Sequence, residues 1–206
     1  MRARVIVVAG PSGSGKSQLC QRLAGEAGLP VVSLDDFYKD GDDPTLPRRA
    51  LAAGAPIVDW DHPDSWRPDD AVASLRTLCE EGRADVPVYD IPRNGRIGHR
   101  MVELGGAAYV LAEGIFADEI VAACRRRGLL ADAVCIHNPR LVTFWRRLVR
   151  DLRESRKPPW VLVRRGVALL RAEPVVLARA RAAGCVVLSN ADAYRRLRAL
   201  VHGDDV

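Results

Sequence analysis

The segment that most constrains the fold is the glycine-rich stretch at residues 10–17, which reads GPSGSGKS. It completes the pattern GxxxxGK[ST] and lies between the apolar run at 5–9 and a helix-like stretch from Gln18 to Ala27. In this strand–loop–helix context, glycines let consecutive backbone N–H groups and the helix N-terminus point at one spot, which forms a concave anion site. The pattern therefore predicts phosphate binding, and a chance glycine turn before a helix is the alternative.

Within this loop, individual residues have expected tasks. Lys16 is expected to reach the β- and γ-phosphates of ATP, and Ser17 to contact Mg²⁺, so both cofactors are predicted. The loop alone fits GTPases, ATPases, transporter subunits and kinases alike, so the activity must be inferred from the rest of the chain. The residues predicted to bind the nucleotide are Gly10, Ser12, Gly13, Ser14, Gly15, Lys16, Ser17 and Gln18.

Apolar, β-branched stretches recur along the chain at residues 5–9, 30–33, 108–113, 133–137 and 185–189. Helical patterns lie between most of them, at 16–27, 69–81, 118–127, 139–156, 160–170, 173–183 and 191–201. This alternation predicts an α/β fold in which a parallel sheet of the P-loop NTPase type is flanked by helices on both faces. We expect residues 1–206 to form a single domain.

Two further stretches, 36–67 and 85–106, are too long to be idle connections, and the second is expected to hold a short hairpin. Long loops at the strand ends of an open α/β sheet are where ligands bind. We expect an acceptor substrate to lie under these two loops.

Composition narrows the setting. The sequence has no apolar run of about 18 residues and no room for a signal peptide before the first strand, so a cytoplasmic protein with no membrane partner is expected. The cysteines form no CxxC or Cys/His cluster, which predicts buried reduced thiols rather than a disulfide framework or a zinc site. They are Cys20, Cys79, Cys124, Cys135 and Cys185.

The net charge of +5 comes from one basic stretch, because nine Lys or Arg lie between Arg140 and Arg165 against Asp151 and Glu154. In a phosphate-loop protein such a stretch predicts an arginine-rich helical lid, here at about 139–165, that closes over phosphates. A solvated helix face is the alternative. Because the excess charge is confined to this element, no nucleic-acid partner is expected, and self-association stays open.

Two acidic residues are predicted near the phosphates. Asp35 follows the second strand, where a carboxylate would face Lys16 and take a proton from an acceptor hydroxyl or hold a magnesium-bound water. A solvent-facing helix cap is the alternative for this Asp35-Asp36 pair. Glu113 ends a buried strand, where a charge is costly unless it is paired or near a metal.

In chain order, four segments carry a resemblance: DDFY at 35–38, DWDHPDSW at 59–66, PVYD at 87–90 leading to Arg96, and YVLAEG at 109–114. From about residue 5 to residue 157 the chain resembles the uridine kinase family, which belongs with phosphoribulokinase and bacterial pantothenate kinase. The DHPD and PVYD segments are the part that looks like uridine kinase itself.

The resemblance implies roles for single residues. Asp35 would be the catalytic base. Ser17, Asp35 and Glu113 would lie near magnesium. Among the predicted acceptor ligands, Asp61 would hold ribose hydroxyls, although a plain turn explains its segment equally well, and Tyr89 would pack by the base. The remaining predicted acceptor ligands are Tyr38, Asn94, Arg96 and Arg147, and the catalytic lid arginines are Arg147 and Arg150, which act with Lys16.

The chain also departs from the family pattern. Asn94 stands where the family has a histidine that touches the pyrimidine, and Asn offers different shape and charge. The lid ends in Glu154-Ser155-Arg156-Lys157 instead of E-R-G-R-D, which replaces one arginine by serine and another by the point charge of lysine.

Three functions remain open at this stage. A pyrimidine ribonucleoside kinase, acting on the 5′ hydroxyl of uridine or cytidine in pyrimidine salvage, comes first. A kinase of another small alcohol, such as pantothenate or a sugar phosphate, is the second. A nucleotide-binding regulatory protein without acceptor chemistry is the third, and the presence of both Asp35 and Glu113 counts against it.

Overall fold

The computed structural model describes residues 2–50, 56–137 and 174–203. In chain order, the strands of these ranges are β1 (Arg4–Ala9), β2 (Val31–Ser33), β3 (Arg48–Arg49), β4 (Ile57–Val58), β5 (Arg83–Asp90), β6 (Gly95–Glu103), β7 (Tyr109–Glu113), β8 (Leu130–Ile136) and β9 (Val186–Leu188). The helices are α1 (Lys16–Ala27), α2 (Pro68–Glu81), α3 (Val121–Arg126), α4 (174–183) and α5 (Asn190–His202). Short 3-10 turns cover Leu34–Phe37, Pro63–Ser65 and Ala117–Ile120.

The central sheet has five parallel strands in the order β2-β7-β1-β8-β9. These are the five apolar stretches of the sequence, so the predicted α/β fold is confirmed. Glu113 of β7 pairs with Val8 of β1 on one side and with Ser33 of β2 on the other. Because the strands are parallel, the segments that follow β1, β2 and β7 leave the sheet at the same edge.

Helices cover both faces of the sheet, and β1 is therefore buried on both sides. Val5 and Val7 point into the core cluster that includes Leu75 of α2. Ile6 and Val8 point into a second cluster with α1 and α5. A strand buried on both faces reads as a continuous apolar run, and this is how β1 reads in the sequence.

The region 85–106, expected to be mostly loop with a short hairpin, is instead largely strand. β5 and β6 pair antiparallel from Arg83–Glu103 to Asp90–Gly95, with a bulge next to Tyr89. Ala84 and Val86 are buried, while Arg83 and Asp85 are exposed, so β5 has the alternation of a half-buried strand. Pro87 in this strand obscured that pattern, since proline is typical of loops and strand edges.

The loop 36–67 folds back on itself near the sheet edge. The Lys39 N–H donates to the Ser65 carbonyl at 2.9 Å, and the Arg67 N–H donates to the Phe37 carbonyl at 3.0 Å. Between these points, β3 and β4 form a two-residue ladder. These contacts bring both ends of the loop together beside the end of β2.

The five cysteines are buried and unpaired by disulfides, as expected. Burial raises the pKa of the Cys79, Cys124 and Cys135 thiols to about 11. No helix within the described ranges is long and apolar enough to cross a membrane. The predicted lid at 139–165, with its two expected helices, Arg147 and Arg150, lies outside the described residues.

Candidate active site

The phosphate loop follows β1 and depends on glycine at its first position. Gly10 has a φ of 142°, and a Cβ added there would lie 2.7 Å from the Ile136 carbonyl oxygen and 3.1 Å from Ser14 Oγ. Only glycine therefore lets the loop backbone pass this close to the end of β8. Gly15 then caps α1 in the left-handed conformation, so the first N–H groups of the helix are directed at the loop.

Two side chains at the start of α1 connect this loop to its surroundings. Lys16 is only 6% exposed, and its Nζ donates to the Pro11 carbonyl at 3.3 Å, so its charge lies over the loop. Ser17 Oγ donates to Glu113 Oε1 at 2.8 Å. The structure thus brings Lys16, Ser17 and Glu113 together at the carboxyl edge of the sheet, while Gln18 is exposed on the next position of α1.

Glu113 is a buried carboxyl group at the end of β7, with 9% of its surface exposed. Burial raises its pKa, and the nearby charge of Asp35 adds to this effect. The charge of Lys16 and the Ser17 hydrogen bond act in the opposite direction. A carboxylate that burial destabilises in this way is a good ligand for a cation.

Asp35 lies in the 3-10 turn Leu34–Phe37 that directly follows β2, next to the residues that follow Glu113. Its Oδ1 accepts a hydrogen bond from the Ile115 backbone N–H at 3.2 Å. Gly114 makes this approach feasible, because a Cβ there would lie 2.9 Å from Leu34 Cβ and 3.1 Å from Asp35 Oδ1. The glycine of the Glu113-Gly114 step therefore has a steric task that the sequence alone did not reveal.

The donor set formed by Ser17, Asp35 and Glu113 suits magnesium. All three offer hard oxygen atoms, and Mg²⁺ usually takes one or two carboxylates, with water and substrate phosphates completing its coordination. Among the described residues, no group of three or more His, Cys, Asp or Glu could hold a metal by itself. A metal here would therefore need nucleotide oxygens as well as these side chains.

An aromatic cluster lies beside the carboxylates. The Tyr38 ring centroid is 5.8 Å from that of Tyr89, 5.9 Å from that of Trp60 and 6.1 Å from that of Phe116. Trp66 stacks on Phe116 from the other side at 6.1 Å. Two predicted acceptor ligands, Tyr38 and Tyr89, thus belong to one aromatic wall.

Tyr89 is held in place by the loop that follows β2. Its backbone N–H donates to Asp36 Oδ1 at 3.2 Å, and its hydroxyl donates to the Lys39 carbonyl at 3.3 Å. Burial raises the pKa of Tyr89 to about 12 and also raises the pKa of Asp36. The sequence alone predicts no separate role for Asp36, although its position next to Asp35 indicates that it lies near the site.

The hairpin turn between β5 and β6 is clamped by the same loop. The Arg96 N–H donates to Asp40 Oδ1 at 2.7 Å, and the Gly41 N–H donates to the Asn94 carbonyl at 2.6 Å. Asn94 is exposed and has a φ of 48°, a conformation that asparagine tolerates better than most residues. Its presence is thus explained by the turn. Arg96 Nη2 lies 3.6 Å from Asp70 Oδ2.

Asp61 and His62 lie on the exposed turn before α2. The Asp61 N–H donates to Asp59 Oδ1 at 3.3 Å. His62 Nδ1 accepts from the Asp64 N–H at 3.2 Å and caps the 3-10 turn Pro63–Ser65. The structure therefore gives His62 a local structural task and leaves Asp61 exposed near Trp60.

The start of α5 reaches the phosphate loop from the C-terminal side. Asn190 Nδ2 donates to the Gly15 carbonyl at 3.3 Å. The first residue of α5 therefore contacts the phosphate loop. A cleft of about 620 Å³ lies beside Arg2 and Gly105, at the amino ends of the strands, and thus away from these side chains.

The fold and the loop define a phosphate-loop protein, and the paired carboxylates are typical of its kinases. Residues 5–156 match the model of the Phosphoribulokinase / Uridine kinase family, and the chain belongs to that family. The resemblance seen in the sequence is thereby confirmed.

Individual relatives agree with this assignment. The uridine kinase of Schizosaccharomyces pombe is 33% identical over 156 residues, which are 73% of this chain and 32% of that protein. The chain thus spans about a third of that relative's length. The uridine kinase of Leuconostoc citreum is 31% identical over 75% of this chain and 71% of its own length. A candidate fructose transport system kinase from Silicibacter sp. TM1040 shares the fold, with a TM-score of 0.58 and 21% identity over 92% of this chain and 88% of that chain.

Proposed function

We propose that this protein transfers the γ-phosphoryl group of ATP to the primary 5′ hydroxyl of a nucleoside, with uridine and cytidine as the first candidates. The observation that carries the proposal is the placement of Asp35. Its carboxylate is bound by the Ile115 N–H, two residues beyond Glu113, and Glu113 is hydrogen-bonded to Ser17 of the phosphate loop. An acceptor hydroxyl beside Asp35 would thus face the phosphate site.

On the donor side, the backbone N–H groups of residues 10–17 would bind the phosphates, and Lys16 would stabilise charge on the transferred group. Ser17, Glu113 and Asp35 would hold Mg²⁺, partly through water. When bound, the metal neutralises charge on the phosphate oxygens. The lid arginines proposed to assist Lys16, Arg147 and Arg150, lie outside the described residues.

On the acceptor side, Asp35 takes the proton of the primary hydroxyl as its oxygen attacks phosphorus. The Ile115 N–H engages Oδ1, so we assign proton acceptance to Oδ2. Phosphoryl transfer depends mostly on positioning and electrostatics, and the hydrogen bond from a strand-end backbone supplies the positioning.

The acceptor itself would lie against the aromatic wall of Tyr38 and Tyr89. Offset stacking and edge contacts with aromatic rings suit a planar base. Asp61 would bind the ribose hydroxyls, and Arg96 would contact the base or its carbonyl groups. These roles come from the resemblance to uridine kinases and are supported by the common location of Tyr38, Tyr89 and Arg96 around the 36–41 loop.

One observation favours a second candidate, the phosphorylation of another small alcohol such as pantothenate or a sugar phosphate. Asn94 stands where the family has its pyrimidine-contacting histidine, yet here it is an exposed turn residue with a φ of 48°. Asn94 is therefore not expected to select a pyrimidine, and other residues must determine which acceptor binds.

The test is acceptor-dependent release of ADP from Mg–ATP with uridine, cytidine, pantothenate and ribulose 5-phosphate. The proposal predicts that uridine or cytidine stimulates release far above the rate without acceptor. Stimulation by pantothenate or the sugar phosphate alone would select the second candidate. No stimulation by any of the four would overturn both in favour of a nucleotide-binding regulatory protein.

A further inference from the structure

Outside the site described above, the most unusual polar group is Asp118. It lies in the 3-10 turn Ala117–Ile120, and its side chain is 1% exposed. Arg179 of α4 binds it with both arms of the guanidinium, Nε to Oδ2 at 2.5 Å and Nη2 to Oδ1 at 3.0 Å. A carboxylate buried this deeply is strongly destabilising unless such a partner is present.

The same guanidinium contacts two neighbours of Asp118. Arg179 Cζ lies 5.4 Å from the centroid of the Phe116 ring, and Arg179 Nε lies 3.4 Å from Glu119 Oε1. One arginine therefore contacts three of four consecutive residues, 116–119, from a helix that lies more than 50 positions further along the chain. These contacts link α4 to the backbone that follows β7.

That backbone carries the groups on which the proposed reaction depends. We define the post-β7 segment as residues 113–119, which run from the last residue of β7 into the following 3-10 turn. It contains Glu113, which binds Ser17, and Ile115, whose N–H holds Asp35. Phe116 packs edge-on against Tyr38 of the aromatic wall.

We propose that Arg179 is a positioning residue for phosphoryl transfer. Its guanidinium fork holds the post-β7 segment so that the Ile115 N–H meets Asp35 and the Phe116 ring supports Tyr38. The inference rests on the proposed function for its catalytic consequence, while the holding of the segment is a property of the chain itself. Arg179 touches no reacting atom in this role.

The chemistry requires arginine at this position. A planar fork meets both oxygens of Asp118 and also presents a flat face to Phe116, whereas lysine offers one point charge. Without the fork, Asp118 becomes an uncompensated buried charge, and the turn must move to bring it to water. A displacement of about 1 Å transmitted to Asp35 lowers turnover by about 100-fold.

A matched control exists in the same chain. Arg196 of α5 binds Asp132 with the same two-armed geometry, Nε to Oδ2 at 2.7 Å and Nη2 to Oδ1 at 3.1 Å. That pair joins α5 to β8 and contacts none of the post-β7 segment. Arg196→Met therefore removes an ion pair of the same geometry, although a more exposed one, without disturbing the carboxylates of the site.

The experiment compares Arg179→Met, Arg179→Lys and Arg196→Met with the wild type in full-length protein. It measures kcat and the KM for ATP and for the best acceptor of the panel, at a temperature where thermal melts show every variant folded. Hydrogen–deuterium exchange of peptides covering 113–119 is measured in parallel. If Arg179→Met does not fold, Arg179→Lys takes its place, because it keeps a positive charge beside Asp118 and lacks the planar fork.

We expect Arg179→Met to lower kcat by about 10- to 100-fold, with the KM for ATP within about twofold of the wild type. Arg179→Lys should fall between, and Arg196→Met should keep the wild-type kcat. Exchange at 113–119 should accelerate in the Arg179 variants alone. Wild-type kcat, or unchanged exchange at 113–119, in the Arg179 variants would overturn the inference. A wild type that phosphorylates no acceptor would overturn the proposed function instead, and the exchange comparison would still decide whether Arg179 holds the segment.

Discussion

The phosphate side of this site and its proposed acceptor side are held together by different means. On the phosphate side, backbone geometry dominates, because Gly10 passes within contact distance of the Ile136 carbonyl and Gly15 directs the start of α1. On the acceptor side, carboxylates of one loop bind the backbone of another, as Asp36 binds Tyr89 and Asp40 binds Arg96. The phosphate side is formed by one contiguous motif. The acceptor side depends on contacts between two loops, so a sequence change in either loop can alter it.

This difference suits a family whose name joins phosphoribulokinases with uridine kinases, which differ in acceptor. Residues 10–17 need only a glycine pattern and a following helix, and they are flanked by the buried strand β1. The aromatic wall consists of Tyr38, Trp60, Tyr89 and Phe116, which come from three separate parts of the chain.

Apart from the loss of Asp35 itself, the largest effect is expected where the two sides meet, at Gly114. A methyl group added there would lie 2.9 Å from Leu34 Cβ and 3.1 Å from Asp35 Oδ1, so Gly114→Ala must displace Asp35. We expect kcat to fall by about 100-fold while ATP binding persists. Steady-state kinetics and nucleotide titration measure the two quantities.

Gly25→Ala is the control for that variant, because a Cβ at Gly25 meets nothing within 4 Å. This change in α1 should leave kcat as it is and stabilise the helix slightly, by about 1 kcal/mol at most. Equal loss of ATP binding and turnover in Gly114→Ala would show that the two sides are not separable at this point.

The next effect in size belongs to the acceptor side alone. Asp36→Ala removes the acceptor of the Tyr89 N–H bond, and losing a hydrogen bond to a charged group costs about 1.5–3 kcal/mol. We expect the KM for the acceptor to rise about tenfold with the KM for ATP unchanged. Asp36→Asn keeps an oxygen for Tyr89 and should stay much closer to the wild type. A rise in the KM for ATP instead would contradict the division of the site.

A smaller effect is expected on the phosphate side, in the pH dependence of stability without metal or nucleotide. Burial raises the pKa of Glu113 above its ordinary value of 4.5, so the folded chain binds this proton more tightly than the unfolded chain. The contribution of Glu113 to stability is therefore full below pH 4.5 and is lost as the pH rises through the raised pKa. Glu113→Gln, which can still accept from Ser17, should remove this loss.

Urea unfolding of the two proteins between about pH 4 and pH 8 measures the difference. The stability of the variant relative to the wild type should increase as the pH rises, and it should level off above the raised pKa. Glu81→Gln at an exposed position serves as control and should show no such divergence. A relative stability that decreases as the pH rises would mean that Lys16 and Ser17 outweigh burial.

The smallest effect is expected at His62. Because its side chain caps the 3-10 turn Pro63–Ser65, His62→Asn should retain the cap and His62→Ala should cost about 1 kcal/mol of stability or less. Both variants should keep kcat and both KM values. A large kinetic loss in His62→Asn would place the histidine in the acceptor site and assign it a chemical role.

How much of this could be inferred from the sequence follows the same division. The five strands of the sheet and the phosphate loop were predictable, because buried strands read as apolar runs and the loop is a contiguous motif. Asp35 and Glu113 were predictable from their positions at strand ends. In the structure they converge on the residues around Gly114.

The acceptor side was less predictable because its contacts join residues far apart in the chain. The Tyr89 N–H bond to Asp36 spans 53 positions and the Arg96 N–H bond to Asp40 spans 56, so neither leaves a local pattern. The antiparallel hairpin was underestimated because Pro87 and Gly98 interrupt its alternation. Asn94 is a predicted acceptor ligand because it stands at the position of the family's histidine, whereas its φ of 48° shows that it is a turn residue.

The measurement that tests the central claim most directly is single-turnover phosphoryl transfer by Asp35→Asn with the best acceptor of the panel. If Asp35 takes the acceptor proton beside the phosphate loop, transfer should fall by about 100- to 10,000-fold, while ATP affinity and thermal stability stay close to the wild type. Near-normal transfer by Asp35→Asn would contradict the account, because a carboxamide cannot accept that proton.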